Sequence, residues 1–468
     1  MKNSMRFIFA ILSILLVLSI GFLAFKKNKS LDTPTDNQQD TAREEIATDS
    51  NTATETPTQE QAEMQAQEPA KKEYSPNLYV LGKNEHGQLG ESDVKEFTDV
   101  LTPVAIGKTF VKIAAGRSHG VGITSEGDVY TWGRNNLGQL GYKTDDIQYN
   151  PVPHLVMSGA KDVVVGQDHT LVLKKDGTVW GFGSNYTAAI GDGTNIDRAT
   201  PVKVSGISNI ASIFTGYKFS MAIDISGKVY AWGATCAPSG VRVAADLAAR
   251  MTTLDGGYYD PVPAINPNGY DHNQDCINEE VIGIHSKSPI EMPTLSGVTK
   301  DIAIGYGHAI ILENDGSIWS FGCNLYGQMG NRNYNNKVEN AKPQKILDIG
   351  KVVKIGAGFR QSFAITEDGD VYMWGLNSKV ENGYKLLNSS SPAKIDNMDG
   401  KDIKEIAGGY DIAFALMNSG EVYAWGANTN HVVKDQKKDQ MLTPVKMPIS
   451  KKVTDMAAGI DMLFFLTK

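Results

Sequence analysis

The chain has 468 residues, of which 41% are hydrophobic and 47 are glycine, and its formal net charge is −8. This length exceeds one compact core of ordinary size and predicts either a repeat fold or two to three domains. The acidic balance excludes a dominant role in nucleic-acid binding, because contacts to phosphates need clustered Lys and Arg. Glycine above the usual ~7% favours the many tight turns of a β fold.

The first apolar segment predicts a membrane anchor. Residues 7–25 (FIFAILSILLVLSIGFLAF) carry no charge and follow a short flank, residues 1–6. A helix of this length, at ~1.5 Å per residue, spans about 28 Å, close to the ~30 Å hydrocarbon core of a bilayer. A cleaved signal peptide is the alternative, but with Ala24 before the cut, Phe22 would stand where a small residue is preferred. We expect an uncleaved signal anchor that places the rest of a single-pass protein on the extracellular side of the cell membrane.

A linker follows the anchor. Residues 26–76 are rich in Thr, Gln and Glu, and residues 30–73 within them contain eleven acidic and three basic side chains. Such a segment cannot bury enough apolar surface to offset the entropy of ordering it. We therefore predict a disordered, acidic tether, with a binding tail as the alternative. The remaining residues, 77–468, are predicted to form the folded domain.

A sequence repeat fills this domain. An aromatic strand that ends in glycine, such as VYTWG at residues 129–133, recurs seven times with a period near 50. The closing glycines are Gly82, Gly133, Gly183, Gly233, Gly322, Gly375 and Gly426. Each repeat also contains a Pro-led strand, a strand of small residues such as VKIAAG, and an apolar strand that ends in a turn such as SEGD. The longer step after Gly233 indicates an insertion at about residues 234–288, in the fourth repeat.

Four strands in each of seven repeats predict a seven-bladed β-propeller. The Glu-Gly, Asp-Gly and Ser-Gly pairs favour tight hairpins, because glycine accepts a positive φ. The Pro-led strand is expected at the outer edge, where a missing N–H does least harm, and the small-residue strand is expected at the axis. The first aromatic strand and the last apolar strand lack partners in their own repeats. We predict that they pair and close the ring in a blade formed by residues 78–104 and 453–467.

The Trp-Gly strand, the Gly-Gln-Leu-Gly turn, the Pro-led strand and the Ala-Ala-Gly-x-x-His segment resemble the regulator of chromosome condensation (RCC1) repeat family. The resemblance covers about 390 of the 468 residues and implies an all-β, seven-bladed propeller, here preceded by a transmembrane helix and a disordered linker as in a bacterial surface protein. It also implies binding of other proteins or, alternatively, guanine-nucleotide exchange on a small GTPase. An exported chain has no access to a nuclear GTPase. We therefore expect a membrane-tethered binding module for a protein or a surface polymer.

No motif predicts catalysis or a cofactor. Gly133-x-x-x-x-Gly138 has the spacing of a phosphate-binding loop, but Gln139 stands where such a loop needs Lys. The same spacing recurs from Gly82 and from Gly322, and a nucleotide site would not be repeated around a ring. The sequence contains no H-E-x-x-H motif, and its G-x-S-x-G match at residues 116–120 (GRSHG) falls inside the repeated Ala-Ala-Gly-x-x-His segment. We expect a non-catalytic protein without a cofactor.

Three histidines, His119, His169 and His308, occupy one slot of the repeat. Three equivalent imidazoles on a ring could bind a metal ion. In the other repeats the slot holds Phe219, Gln361, Ile412 and Met462. A slot that accepts Phe, Ile and Met is more typical of packing, so we expect no metal site there.

The insertion contains the candidate partner-binding residues. Arg242, Tyr258, Tyr259 and Tyr270 are of the types that are enriched at protein interfaces. The alternative is a loop that packs against its own propeller. Because alternate connections of a four-stranded meander lie on opposite faces, we expect the insertion to emerge on the face that carries the Gly-Gln-Leu-Gly turns.

Cys236 and Cys276 bracket the insertion. In an oxidising compartment these two would close a loop of about 40 residues, which would stabilise the fold by ~3–4 kcal/mol. Three free thiols, including Cys323, are the alternative in a reducing compartment. Residues 271–275 begin like a calcium loop, but Cys276 stands where that loop needs glycine, so no metal is expected.

Overall fold

The computed structural model describes most of the repeat region. The described residues are 73–235, 285–293, 295–334, 342–377, 387–395, 398–410, 412–427 and 440–468. The predicted anchor and nearly all of the predicted linker lie outside these ranges. Within them, no helix is long and apolar enough to cross a lipid bilayer.

Strands make up nearly all of the regular structure in the described residues. In chain order they are β1 (Leu78–Lys83), β2 (Phe97–Pro103), β3 (Phe110–Ala115), β4 (His119–Thr124), β5 (Val129–Gly133), β6 (His154–Met157), β7 (Ala160–Val165), β8 (His169–Lys174), β9 (Val179–Gly183), β10 (Arg198–Lys203), β11 (Ile210–Thr215), β12 (Phe219–Asp224), β13 (Val229–Ala234), β14 (His285–Glu291), β15 (Thr299–Ile304), β16 (His308–Glu313), β17 (Ile318–Gly322), β18 (Gln344–Lys345), β19 (Val352–Ala357), β20 (Gln361–Thr366), β21 (Val371–Asn377), β22 (Leu387–Lys394), β23 (Ile403–Gly408), β24 (Ile412–Met417), β25 (Val422–Ala427), β26 (Gln440–Lys446), β27 (Val453–Ala458) and β28 (Met462–Thr467). One turn of 3-10 helix lies at Gly400–Asp402.

These strands form seven four-stranded antiparallel sheets, the blades of a propeller. From the axis outward, blade 1 is β27-β28-β1-β2, blade 2 is β3-β4-β5-β6, blade 3 is β7-β8-β9-β10, blade 4 is β11-β12-β13-β14, blade 5 is β15-β16-β17-β18, blade 6 is β19-β20-β21-β22 and blade 7 is β23-β24-β25-β26. The prediction of seven blades is confirmed. The small-residue strands are innermost and the Pro-led strands are outermost, as their composition predicts.

The ring closes as the phase of the repeat predicts. Strand β1, near the start of the domain, pairs antiparallel with β28, its last strand, so that Leu78 faces Leu466 and Gly82 faces Met462. Blade 1 therefore takes its two inner strands from the C-terminal end and its two outer strands from the N-terminal end. Both ends of the domain are needed to complete one sheet.

The core consists of apolar clusters between adjacent blades. Trp132 of β5 is fully buried and belongs to a cluster with Phe110 of its own blade and with Val80 and Phe464 of blade 1. The Gly-Gln-Leu-Gly turns also join blades, because the backbone carbonyl of Gln88 in blade 1 accepts a hydrogen bond of 2.9 Å from the Trp132 indole N–H in blade 2. Blades 3 and 4, and blades 5 and 6, are joined by the same type of bond.

Gly133, which closes β5, is predicted to resist substitution. Its φ is +108°, and a Cβ placed there would lie 2.5 Å from the backbone oxygen of Ser118. We expect Gly133→Ala to lower the free energy of unfolding by at least about 2 kcal/mol, through left-handed strain and this contact. Gly206→Ala is the matched control, because Gly206 has a φ of +73° but a Cβ added there would meet no atom within 4 Å. Equal losses in denaturant unfolding of the two variants would contradict a role for the close contact.

Candidate interaction site at the channel mouth

The innermost strands of the seven blades surround a central channel. The cavity within it has a volume of about 320 Å³ and is lined mainly by small and aliphatic residues of these strands. We name the two ends of the channel after the strand connections that surround them. The turn face carries the Gly-Gln-Leu-Gly turns and the connections from each innermost strand to the second strand. These two kinds of connection lie on the same face, because the Arg134 N–H, just before one such turn, donates to the carbonyl oxygen of Ser118, in one such connection, at 2.9 Å. The hairpin face carries the glycine hairpins between the second and third strands.

A common turn shapes the channel mouth on the turn face. In every blade, the innermost strand is followed directly by a glycine whose N–H donates to the carbonyl oxygen three residues later. The residue directly after that glycine therefore lies at the rim of the channel. Around the ring, from blade 1 to blade 7, these rim residues are Ile460, Arg117, Gln167, Tyr217, Tyr306, Phe359 and Tyr410.

Four consecutive rim residues form an aromatic crescent, which we define as Tyr217, Tyr306, Phe359 and Tyr410. The ring centroids of Tyr217 and Tyr306 are 5.4 Å apart, and Phe359 lies 4.4 Å from Tyr306 and 4.4 Å from Tyr410. Phe359 is buried at the centre, whereas the three tyrosines are partly exposed. The crescent is thus a continuous aromatic surface across blades 4 to 7.

Cationic side chains accompany the crescent. The Lys218 ammonium lies 4.7 Å from the ring centroid of Tyr306, and the Arg360 guanidinium lies 4.9 Å from that of Phe359. On the opposite side of the mouth, Arg117 lines the cavity beside Asp168. Burial raises the pKa of Asp168, and Arg117 opposes this rise. The mouth therefore has one aromatic half and one polar half.

This arrangement of side chains is more typical of a binding surface than of a catalytic site. Partly exposed tyrosines beside cations are the residue types that dominate protein interfaces. Among the described residues, no group of three His, Cys, Asp or Glu side chains could hold a metal ion. The described contacts of the aromatic half include ring stacking and cation–π contacts.

The three slot histidines link neighbouring blades. The Nε2 atoms of His119, His169 and His308 lie 3.2, 3.3 and 3.0 Å from hydroxyl oxygens of the next blade. All three side chains are buried, and burial lowers the pKa of His119 to about 3 and those of His169 and His308 to about 4. In blade 4 the slot holds Phe219, which packs in one cluster with Ala309 of the next blade. The residue in this slot thus contacts a side chain of the next blade that suits it: a hydroxyl group for histidine and an apolar group for Phe219. These contacts support the interpretation of the slot as a packing position.

The predicted partner-binding residues Arg242, Tyr258, Tyr259 and Tyr270 lie outside the described residues, as do Cys236 and Cys276. The described ends of the insertion are nevertheless placed. Ala234, at the end of β13, pairs with His285, at the start of β14. The Ala234 N–H also donates to the Lys218 carbonyl, beside the rim. The insertion thus leaves and re-enters the fold at the turn face, as predicted.

The structure differs from the sequence-based expectation at Cys323, which was expected to lie outside a disulfide between Cys236 and Cys276. It is disulfide-bonded, and its buried side chain lies next to Thr235, with Sγ 3.5 Å from the Thr235 carbonyl oxygen. A chain with three cysteines can form one internal disulfide. A bond at Cys323 and the predicted Cys236–Cys276 bond therefore exclude each other within one chain.

Comparison with protein families agrees with this architecture. The family model described as "Regulator of chromosome condensation (RCC1) repeat" matches residues 77–123, 126–173, 176–223, 315–365 and 419–466, which is more than half of the chain. The chain belongs to the RCC1 repeat family. A second model with the same description matches residues 299–328, 352–379 and 403–431 among others, and so extends the family assignment to blades 5, 6 and 7.

Individual relatives match parts of the RCC1 region. Protein pim1 of Schizosaccharomyces pombe is 30% identical over 179 residues, which cover 34% of this chain and 33% of pim1. The ultraviolet-B receptor UVR8 of Arabidopsis thaliana is 28% identical over 132 residues, 28% of this chain and 29% of the receptor. The matches thus span about a third of these relatives.

Solved structures share the fold over a longer stretch. Yeast RCC1 (Prp20), solved bound to Kap60, has a TM-score of 0.64 at 18% identity and covers 92% of this chain and 96% of that one. Human WBSCR16 has a TM-score of 0.64 at 19% identity and covers 84% and 98%. At these identities the likeness establishes the propeller fold alone.

Proposed function

We propose that this chain is a membrane-tethered, exported, non-catalytic propeller that binds another protein at the channel mouth on its turn face. The observation that carries the proposal is the aromatic crescent with its adjacent Lys218 and Arg360. Aromatic and arginine side chains supply most of the binding energy in protein interfaces. The three tyrosines of the crescent offer such anchors beside a cavity.

Relatives support a binding role. RCC1-like propellers act mainly as binders or regulators, although some relatives, such as human HERC2, are ubiquitin-protein ligases. Yeast Prp20p has been described with its binding properties to Gsp1p and histones. In this family the propeller is thus a frequent platform for protein partners. A surface polymer is the other ligand class that the partly exposed tyrosines could bind.

Export is supported by the predicted anchor, residues 7–25, an uncharged segment long enough to span a bilayer. The competing function, a regulator of nucleotide exchange on a small GTPase, needs a cytoplasmic propeller. Protease treatment of intact cells separates the two, because an exported propeller is cut from outside, whereas a cytoplasmic one is cut only after lysis.

The binding site is tested by the double variant Tyr306→Ala/Tyr410→Ala. We expect the affinity for a partner protein, identified by crosslinking on intact cells and then purified, to fall at least about tenfold, because each tyrosine is an anchor of the mouth. The matched control is Tyr74→Ala, since Tyr74 is 45% exposed and does not belong to the rim. Unchanged affinity in the folded double variant would overturn the site. Deleting residues 237–275 separately tests Arg242, Tyr258, Tyr259 and Tyr270 as contributors.

A further inference from the structure

A network of four polar groups joins blades 5 and 6. The Ser362 hydroxyl donates to the Gln328 carbonyl at 2.7 Å, and the Trp374 indole N–H donates to the same oxygen at 2.9 Å. The His308 imidazole completes the set, with Nε2 3.0 Å from the Ser362 oxygen. We call this arrangement of a slot side chain, a hydroxyl, a turn carbonyl and an indole the junction network.

Blades 3 and 4 are joined by the same network. The Ser220 hydroxyl and the Trp232 indole N–H each donate to the Ala189 carbonyl at 2.8 Å, and His169 Nε2 lies 3.3 Å from the Ser220 oxygen. In both networks the serine of the second strand directly faces the tryptophan of the third strand. Two oxygen atoms, one hydroxyl and one carbonyl, thus connect the slot side chain of one blade with the tryptophan of the next.

The junction of blades 6 and 7 has both ends of this network. Gln361 occupies the slot in blade 6, and Trp425 occupies the tryptophan position in blade 7. Ala413 stands in the place of the serine, because it faces Trp425 in the register in which Ser362 faces Trp374. No serine hydroxyl is therefore available to Gln361 at this position. The connection that follows β21 in blade 6, residues 378–386, lies outside the described residues.

Both end groups are buried, since Gln361 is 1% exposed and Trp425 is 3% exposed. Neither the amide nitrogen and oxygen of Gln361 nor the indole nitrogen of Trp425 has a hydrogen-bond partner in the described part of the chain. The amide lies at the junction itself, because a Cβ added to Gly358 of blade 6 or to Gly408 of blade 7 would be 2.6 or 2.9 Å from Gln361 Oε1. Buried polar groups without a partner are costly, and proteins satisfy them with other groups or with ordered water.

We propose that the junction of blades 6 and 7 contains a buried water site, in which water oxygens take the places of the hydroxyl and the carbonyl of the junction network. Water both donates and accepts hydrogen bonds, so it can accept the Trp425 N–H and bond the Gln361 amide at either polar atom. A cation does not suit the site, because the indole nitrogen is a donor only. Alanine in place of serine leaves room for an oxygen atom beside Gln361.

The water site and the aromatic crescent share one junction. Phe359 precedes Gln361 by two residues, and the Gly358 N–H donates to the Gln361 carbonyl at 2.9 Å. The rings of Phe359 and Tyr410, 4.4 Å apart, span the same junction at the rim. The proposal does not depend on partner binding at the mouth, because the polar groups of the water site are buried in the free protein.

The first test measures contact between water and the indole N–H groups. In the full chain with 15N-labelled tryptophan, we expect a nuclear Overhauser contact from a long-lived water molecule to the Trp425 indole proton, assigned with Trp425→Phe. Trp132, Trp232 and Trp374 are internal controls, because their N–H groups donate to backbone carbonyls. A Trp425 indole without this water contact would overturn the proposal.

The second test is Ala413→Ser, which supplies the hydroxyl that the other networks contain. We expect the folding equilibrium constant to rise about threefold to tenfold, because the hydroxyl bonds Gln361 and releases a water molecule. Ala309→Ser is the matched control, since Ala309 has the same position in blade 5 but faces Phe321 and packs with Phe219. There the buried hydroxyl should lower the constant at least about fivefold. Equal losses in both variants would refute a need for oxygen beside Gln361.

A double-mutant cycle connects the gain to Gln361. In a Gln361→Met background, Ala413→Ser should no longer stabilise the fold, because methionine has no group that requires the hydroxyl. A gain of the same size in both backgrounds would show that it arises elsewhere, and the assignment of the site to Gln361 would be wrong. Denaturant unfolding of the four chains provides all the values for the cycle.

Discussion

Phe464→Ala is expected to lower the free energy of unfolding by about 3–5 kcal/mol. Phe464 lies on β28, has no exposed surface, and its ring centroid is 5.5 Å from that of Trp132 in the neighbouring blade. Truncation leaves a cavity in the cluster between blades 1 and 2. Collapse around the cavity is restricted, because Trp132 is held by its hydrogen bond to the Gln88 carbonyl. The loss falls on the blade that closes the ring.

The control for this variant is Phe97→Ala in the same blade. Phe97 begins β2, the outermost strand, and is 41% exposed. Its truncation should change stability by no more than about 0.5 kcal/mol, as for most surface positions. Denaturant unfolding of both variants measures the difference. If both variants lost a similar amount of unfolding free energy, the cluster between blades 1 and 2 would contribute no more to stability than an ordinary surface position.

The architecture was predictable because it repeats. Seven copies of an aromatic strand with a closing glycine give the blade count, and the order of strands within a copy decides which two strands must meet. The pairing of β1 with β28 followed from that order alone. Pro-led and small-residue strands could also be placed, since a missing N–H and a crowded axis each restrict which residues are acceptable.

The channel mouth could not be predicted in the same way. Rim residues such as Arg117 and Tyr306 occupy one slot but differ in chemistry, so the repeat gives no signal for the aromatic crescent. Tyr217 and Tyr306 are 89 positions apart in sequence, yet their rings are 5.4 Å apart, because the contact joins neighbouring blades. Reading the slot after each innermost glycine around the ring, rather than along the chain, would have located the crescent.

In contrast, the histidine slot could be interpreted from sequence, because three of the four residues that replace histidine there, Phe219, Ile412 and Met462, are apolar. The role of a slot can be predicted from sequence when the residues that occupy it in different repeats are chemically similar. It cannot be predicted when the role arises from contacts with the neighbouring blade.

Acidification from pH 7.5 to pH 5 is expected to destabilise the fold through His119, His169 and His308. Burial holds the pKa of His119 at about 3 and those of His169 and His308 at about 4, below the ordinary 6.5. The unfolded chain therefore binds more protons than the folded chain below about pH 6.5, so stability falls as the pH falls. Each histidine contributes at most about 1.4 kcal/mol per pH unit, or about 2 kcal/mol over this interval.

The triple variant His119→Gln/His169→Gln/His308→Gln isolates this effect. Gln already occupies the slot in blade 6 as Gln361, and an amide does not accept a proton in this pH range. We expect the variant to lose about 4–6 kcal/mol less than the wild type between pH 7.5 and pH 5, measured by denaturant unfolding at each pH. His154→Gln is the control for the substitution itself, because His154 is exposed on the outermost strand β6. A triple variant with the slope of the wild type would mean that the buried imidazoles accept protons without breaking their contacts between blades.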